Sequence, residues 1–323
     1  MGRMIDGAWH AGKVTEDSAK GAFKRQESGF RDWVTADGTP GPDGQAARPA
    51  AADRYHLYVS HACPWAHRTL IVRALKELEA MIPVSVVNPV MLDDGWTFET
   101  TRGGTGDPLH GADFLWQTYA RARDGYSGKV TVPVLWDRET ETIVSNESAE
   151  IIRMFNTAFD RLGAAEGDFY PAHLRTEIDA INDDVYDRVN NGVYKAGFAT
   201  TQQAYEEAVR GLFAALDMLE ERLRGREWLV GDRMTEADIR LFTTLVRFDA
   251  VYHGHFKCNV RRIQDYPAIE ALLERMLAIP AVAATVHLDH IKTHYHASHR
   301  DLNPCGIVPL GPDLPWAGLV AGG

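Results

Sequence analysis

The 323-residue sequence holds only three cysteines, Cys63, Cys258 and Cys305, too few and too scattered for a disulfide framework. No uninterrupted apolar stretch approaches the ~18 residues of a membrane helix. The start, MGRMIDGAWHAGK, lacks the apolar run of a secretory signal, and Asp6 stands where a myristoylation signal needs Ser or Thr. Positive charge is also scarce. With 34 Lys and Arg against 45 Asp and Glu, the net charge is −11, which argues against a phosphate-binding or anionic-membrane surface spread over the molecule. These deficits predict a cytoplasmic protein that engages neither nucleic acid nor membrane. What is present, 45% hydrophobic and 24% charged residues, describes a globular chain of about two domains.

Residues 1–52 read as an N-terminal extension and linker, ending in the loop-like TADGTPGPDGQAARPAAAD. Inside it, FKRQESGFRDWV carries Phe23, Phe30 and Trp33. Disordered tails rarely contain such aromatics, so these rings are expected to pack on the body. From Tyr55, YHLYVS alternates like a strand, and after HACPWAHR the positions Ala66, Leu70, Ile71, Ala74, Leu75 and Leu78 recur at helical spacing. IPVSVVNPV, residues 82–90, is a second strand, so the spacing predicts a parallel pair joined by a helix.

Residues 91–128 form a polar, Gly-rich interruption with Trp96, Phe98, Phe114, Trp116 and Tyr119 spaced through it; a structureless loop that long is usually functional. VTVPVLWD and ETIVS read as two strands, with Pro133 marking a sheet edge, a strand start or a cis peptide. NESAEIIRMF opens another helix. Beyond Tyr170 the pattern is helical throughout. Leu174, Ile178, Ile181, Val185 and Val189 share one face, and Tyr205, Leu212, Leu216, Leu219 and Leu223 another. Thr235 and Asp238 stand at capping-box spacing. The fold class is therefore α/β plus all-α: residues 53–168 with the insertion 91–128, then a helical domain over 169–300 and a Pro/Gly tail over 301–323.

Cys63 follows a strand and precedes Pro64, a residue favoured in the first turn of a helix. The thiol is thus expected at a helix N-terminus, where unpaired N–H groups and the dipole favour a thiolate. In Cys63-Pro64-Trp65-Ala66 the second cysteine of a dithiol redox motif is replaced by Ala66. A disulfide formed at Cys63 has no local resolving partner and needs an external thiol. Cys258 and Cys305 lack this context and read as ordinary residues.

These residues resemble the glutathione transferases, and within them the glutathionyl-hydroquinone reductases, or Xi class. The resemblance runs from about Phe23 to Val308 and rests on FKRQESGFRDWV, Cys63-Pro64-Trp65-Ala66, NESAEI, Trp96, and the tyrosines of NNGVYKAGFA, RFDAVYHGHF and KTHYHASH. It implies a thioredoxin-like N-terminal domain, a helical C-terminal domain, and a homodimer through the latter. It implies glutathione as co-substrate, bound by Trp96, Lys129, Val130, Thr131, Val132, Glu147 and Ser148. Val132 is suited to backbone pairing with the tripeptide, Glu147 to its amine, Ser148 and the helix N–H groups to one carboxylate, and Lys129 to the other. The resemblance further implies Trp96 as a cover over the peptide, Cys63 as the nucleophile, Tyr194 as the proton donor or acceptor, and Tyr252 and Tyr295 as hydroxyls near the Cys63 sulfur and the substrate ring. His296 follows Tyr295 where a second aromatic is expected.

Other readings remain open at this level. An Omega-like thiol transferase or dehydroascorbate reductase uses Cys63 identically and differs in substrate profile, since only the reductase needs an aromatic acceptor pocket. A non-catalytic scaffold is disfavoured by the intact cysteine motif. His287, His290, His294, His296 and His299 suggest a metal, but a run on one helix cannot surround an ion alone, so surface or interface histidines and no metal are expected.

Overall fold

Asp6 and Gly7, with φ of 49° and 81°, form the two-residue turn joining β1 (Gly2–Ile5) to β2 (Ala8–Ala11) in an antiparallel hairpin. Such a turn needs positive φ at both positions, which Asp-Gly provides. A second pair, β3 (Trp33–Thr35) and β4 (Ala47–Pro49), is parallel. The extension is therefore not the irregular segment its sequence suggests; strands of three or four residues are too short to show alternation. Phe30 and Trp33 are buried, as their aromatic character implies. The computed structural model describes residues 2–12 and 20–320, and divides them into two units: 2–12 with 26–167, and 20–25 with 168–320.

In the first unit β5 (Tyr55–Val59), α1 (Pro64–Leu75) and β6 (Val84–Val86) form the expected strand-helix-strand unit, with β5 and β6 parallel. All five residues of β5 are buried, so its apparent alternation does not divide a wet face from a dry one. His56 instead shares a 2.8 Å hydrogen bond with Ser85 on β6. The strand expected over 82–90 contracts to three residues.

The interruption at 91–128 also departs from expectation. It carries a 3-10 turn at Thr101–Gly103 and helix α2 (Leu115–Ala122), whose Leu115, Thr118 and Tyr119 face inward. β7 (Val134–Asp137) and β8 (Thr142–Ser145) complete a four-stranded sheet of order β6-β5-β7-β8, with both new pairings antiparallel. Pro133 stands just before β7, and Val132–Pro133 is cis. Two of its three alternatives therefore hold together. α3 (Ser148–Thr157) packs beside α1.

The second unit is helical. α4 (Arg175–Asp184) runs through a π-helical turn at Val185–Asn190 into α5 (Gly192–Gly197), followed by α6 (Gln202–Leu223). α7 (Glu236–Arg247) likewise runs through a π-helical turn at Phe248–Tyr252 into α8 (His253–His255). α9 (Pro267–Leu277), α10 (Pro280–Ala283) and α11 (Leu288–Ser298) complete it. Ile178, Ile181, Val185 and Val189 are buried together with Leu212, Leu216, Leu219 and Leu223, as their helical spacing predicts. The capping box forms: Asp238 accepts from the Thr235 N–H at 2.8 Å and from the Leu229 N–H at 2.8 Å. Among the described residues, no helix is long and apolar enough to cross a membrane.

Candidate active site

Cys63 caps the N-terminus of α1 in extended geometry, and its carbonyl accepts the first helical hydrogen bond, from His67 N–H at 2.9 Å. The first turn of α1 carries no acidic residue, so no carboxylate there opposes the dipole's stabilisation of a thiolate. Half-buried, the Cys63 thiol donates to the Val132 carbonyl at 3.5 Å. That contact brings the thiol to the backbone just ahead of β7. His67 and Arg68 are buried, and the Arg68 guanidinium lies 4.7 Å from the Trp65 ring centre.

The Val132 backbone is held from behind by a residue of the insertion. Tyr119 on α2 donates its hydroxyl to the Thr131 carbonyl at 2.8 Å, and receives the Thr131 N–H at 3.3 Å and the Asn146 amide at 3.0 Å. Burial pushes the Tyr119 phenol up, so the group stays a neutral donor. One hydroxyl thus ties Thr131 to Asn146, the residue before Glu147. Glu147 caps α3, accepting from the Ala149 N–H at 3.0 Å, and accepts from the Ser28 hydroxyl at 2.9 Å. Ser148, buried, opens the helix. Glu147 is therefore the N-cap of α3.

Ser28 belongs to the extension, whose neighbours Phe30 and Arg31 also reach this corner. Phe30 N–H donates to the Asn146 side chain at 3.1 Å, and the Arg31 guanidinium meets Glu150 at 2.8 Å through Nε. Burial raises the Glu150 carboxyl's pKa against the opposing pull of Arg31. Ser28, Arg31, Tyr119 and Asn146 are supporting residues that the sequence reading missed. The Tyr119 ring was visible there as an aromatic, but the target of its hydroxyl was not. Trp96 is a buried indole whose carbonyl accepts from Leu115 at 2.9 Å. Lys129 and Val130 are half-buried, and the Lys129 carbonyl accepts from Tyr126 at 3.0 Å.

The second unit brings its three tyrosines together. Tyr194 on α5, Tyr252 on the second π-helical turn and Tyr295 on α11 meet at their hydroxyls: Tyr295 lies 2.5 Å from Tyr194 and 2.8 Å from Tyr252. Both π-helical turns lead into this cluster, and such turns appear frequently at functional sites. Tyr252 and Tyr295 are fully buried, and that burial lifts both phenols well above their ordinary range. They remain protonated at neutral pH. Tyr194 is half-buried. Phe256 floors the group, stacked on Tyr252 at 5.4 Å and edge-on to Tyr194 at 5.5 Å.

Beside it lies a histidine cluster; of the surface or interface histidines expected from sequence, the surface alternative does not hold for four of the five. His290, His294 and His296 are buried because α11 packs them inward with Tyr295, and His299, which ends the helix, is buried as well. His255 of α8 shares a 3.1 Å hydrogen bond with His299, and the His296 ring meets it at 4.7 Å. Burial holds His255 down to about 3 and His299 well below the usual histidine range. Among the described residues, no group of three or more His, Cys, Asp or Glu side chains is arranged to hold a metal ion. Cys258 is buried, which pushes its thiol up, and Cys305 is exposed in the tail.

A thioredoxin-like sheet with a lone cysteine at the first helix, followed by an all-helical unit, is the glutathione transferase fold. Residues 62–158 match the glutathione S-transferase N-terminal domain and residues 202–275 the C-terminal domain. The chain is 58% identical to the glutathionyl-hydroquinone reductase YqjG of Escherichia coli, over 97% of this chain and 95% of that one. It is 55% identical to the glutathionyl-hydroquinone reductase PcpF of Sphingobium chlorophenolicum, over 99% of each. The glutathione-bound structure of YqjG superposes with a TM-score of 0.89 at 56% identity, covering 97% of this chain and 96% of that one. The Xi-class transferase of Natrialba magadii gives a TM-score of 0.91 at 47% identity, over 98% and 95% of the two chains. The chain belongs to the glutathionyl-hydroquinone reductases, the Xi class of glutathione transferases.

Proposed function

We propose that the chain reduces glutathionyl-hydroquinones to hydroquinones through a Cys63–glutathione disulfide that a second glutathione resolves, releasing oxidised glutathione. The Cys63 thiolate attacks the glutathione sulfur of the aryl conjugate, the carbon–sulfur bond breaks, and the ring leaves with the electron pair. A tripeptide paired with the Val132 backbone carries its sulfur to Cys63, since the Val132 carbonyl already lies 3.5 Å from Sγ. Glu147 and Ser148 at the start of α3 suit the γ-glutamyl end, where a helix N-terminus favours a carboxylate. Trp96, Lys129, Val130 and Thr131 complete the glutathione subsite in this reading.

A lowered thiol pKa cannot supply the rate. A fall from ~8.5 to ~6 raises the thiolate fraction at pH 7 about thirtyfold, but a Brønsted slope of ~0.45 returns about thirteenfold of that in lost nucleophilicity. The difficult part is making carbon a leaving group. In the ketone tautomer of the ring, the electrons flow to oxygen, which then needs a proton. The observation that carries the assignment is the three-tyrosine cluster, a set of hydroxyls joined at Tyr295. Tyr194 is the proton donor in this scheme, with Tyr295 and Tyr252 as its hydrogen-bonded support. General acid catalysis of this kind is worth about 10²–10⁴ in rate.

The test is release of free hydroquinone from a glutathionyl-hydroquinone with glutathione present, in wild type and Cys63→Ala. Rapid release that the variant loses is the expected result. A wild type that leaves the conjugate intact yet reduces small glutathione mixed disulfides would establish the Omega-like thiol transferase instead. The same reading carries a homodimer through the helical unit, checked by light scattering, and a cytoplasmic setting that keeps glutathione reduced.

A further inference from the structure

Arg25 comes from the extension but belongs to the helical unit. Its Nε donates to the Asn191 side chain at 2.6 Å, and its Cζ stands 4.9 Å from the centre of the Tyr194 ring. Asn191 caps α5 and Tyr194 lies three residues on, so both contacts fall on one face of the same turn. Two further contacts hold the extension here: the Gly21 carbonyl accepts from the Thr200 N–H at 3.0 Å, and Phe23 stacks on Tyr194 at 6.3 Å and packs on Phe198 at 5.6 Å. Lys195, adjacent in sequence to Tyr194, turns its ammonium to Asp187 at 2.5 Å. The guanidinium, not that ammonium, is the cation over the ring.

We propose that Arg25 is a positioning residue for the reduction: its guanidinium stabilises the phenolate that forms on Tyr194 when that hydroxyl gives up its proton. The inference rests on the role given to Tyr194 above. In that step the Cys63 sulfur bonds the glutathione sulfur, the aryl carbon–sulfur bond breaks, and its electron pair passes through the ring to the ring oxygen, which takes the Tyr194 proton. The ring is reduced by two electrons as the two sulfurs become a disulfide. Glutathione, the co-substrate, then reduces that disulfide, and the proton of its thiol returns to Tyr194. Between these events Tyr194 carries a negative charge. Tyr295, kept protonated by burial, donates to it from 2.5 Å, and Arg25 faces it from the ring side. A cation held over an aromatic face is an electrostatic partner of the ring, and more so when it is partly desolvated.

The experiment compares Arg25→Met, which keeps the stem and removes the charge, with Arg25→Lys, each alone and combined with Tyr194→Phe. Turnover is read on a glutathionyl-hydroquinone and on a small glutathione mixed disulfide. Arg25→Met is expected to lower kcat on the conjugate about tenfold with KM unchanged, and to leave disulfide reduction as it was. Arg25→Lys recovers most of the loss, and Arg25→Met adds nothing in the Tyr194→Phe background. Equal losses on both substrates, no recovery with Lys, or additive losses in the double variant overturn the proposal and leave Arg25 a packing residue. A Tyr194→Phe enzyme with full conjugate turnover removes the Tyr194 assignment, and this inference with it. A selective Tyr194→Phe loss beside an unaffected Arg25→Met removes the inference alone.

Discussion

The Tyr295 hydroxyl lies 2.5 Å from that of Tyr194 and, on its other side, 2.8 Å from that of Tyr252. Tyr295 is the shared member of the cluster. Its loss should therefore resemble the loss of Tyr194 itself.

Tyr194→Phe is expected to lower turnover of the aryl conjugate by about 100-fold or more, with far less effect on a glutathione mixed disulfide, whose sulfur leaving group needs no ring protonation. Tyr295→Phe should show the same selectivity with a smaller loss. Steady-state kinetics on the two substrates checks this, and equal losses on both discard the acid role.

Gly197→Ala tests the packing behind the cluster. A Cβ there meets Phe256 Cδ1 at 2.2 Å, so the ring must move. Phe256 stacks on Tyr252 and edges Tyr194, so its displacement should reach both hydroxyls. Conjugate turnover is expected to fall about tenfold or more while disulfide reduction through Cys63 persists. An Ala variant with full conjugate turnover shows that the cluster tolerates a moved floor.

Tyr119→Phe removes the hydroxyl that joins Thr131 and Asn146. Buried partners left without it cost about 1–3 kcal/mol of stability. The backbone leading to Val132 also loosens, so KM for glutathione should rise while kcat at saturation changes little. Thermal melting and glutathione titration of the rate measure the two effects separately.

The histidine cluster predicts acid sensitivity. Burial, with His296, Lys257 and His294 nearby, lowers His255 to about 3 from 6.5, so between those values the unfolded chain binds a proton that the folded protein refuses. Stability is full above pH 6.5 and declines as pH falls toward 3, by on the order of 2 kcal/mol over the first two pH units for one such group. His299 acts in the same direction. Melting temperature measured from pH 7 to 4.5 should fall less steeply in His255→Gln than in wild type. Parallel slopes would show that other groups control the acid limb.

Much of the first unit was legible because its signals are local. Cys63 and Pro64 are neighbours, and a strand followed by Cys-Pro and an apolar 3.6-residue period specifies a thiol at a helix start without reference to distant residues. The capping box at Thr235 and Asp238 is local in the same way. The hairpin at Asp6–Gly7 had its turn signal in the sequence, but its strands are too short to show a period. The inward course of the histidines on α11 was hidden for another reason: a polar ring on an apolar face reads as exposed until the elements packed against it are known.

The sequence by itself determined the class of fold and a thiol at a helix start, because composition, period and adjacent residues carry that information; the three tyrosines stood out only through the family resemblance. Tertiary structure alone decided which hydroxyls meet. Tyr194 and Tyr295 are 101 residues apart, and Arg25 and Asn191 are 166 apart. Pairings at such separations are set by how helices pack and where the extension crosses them, a property of apolar burial summed over the whole unit. No local pattern of residues encodes it.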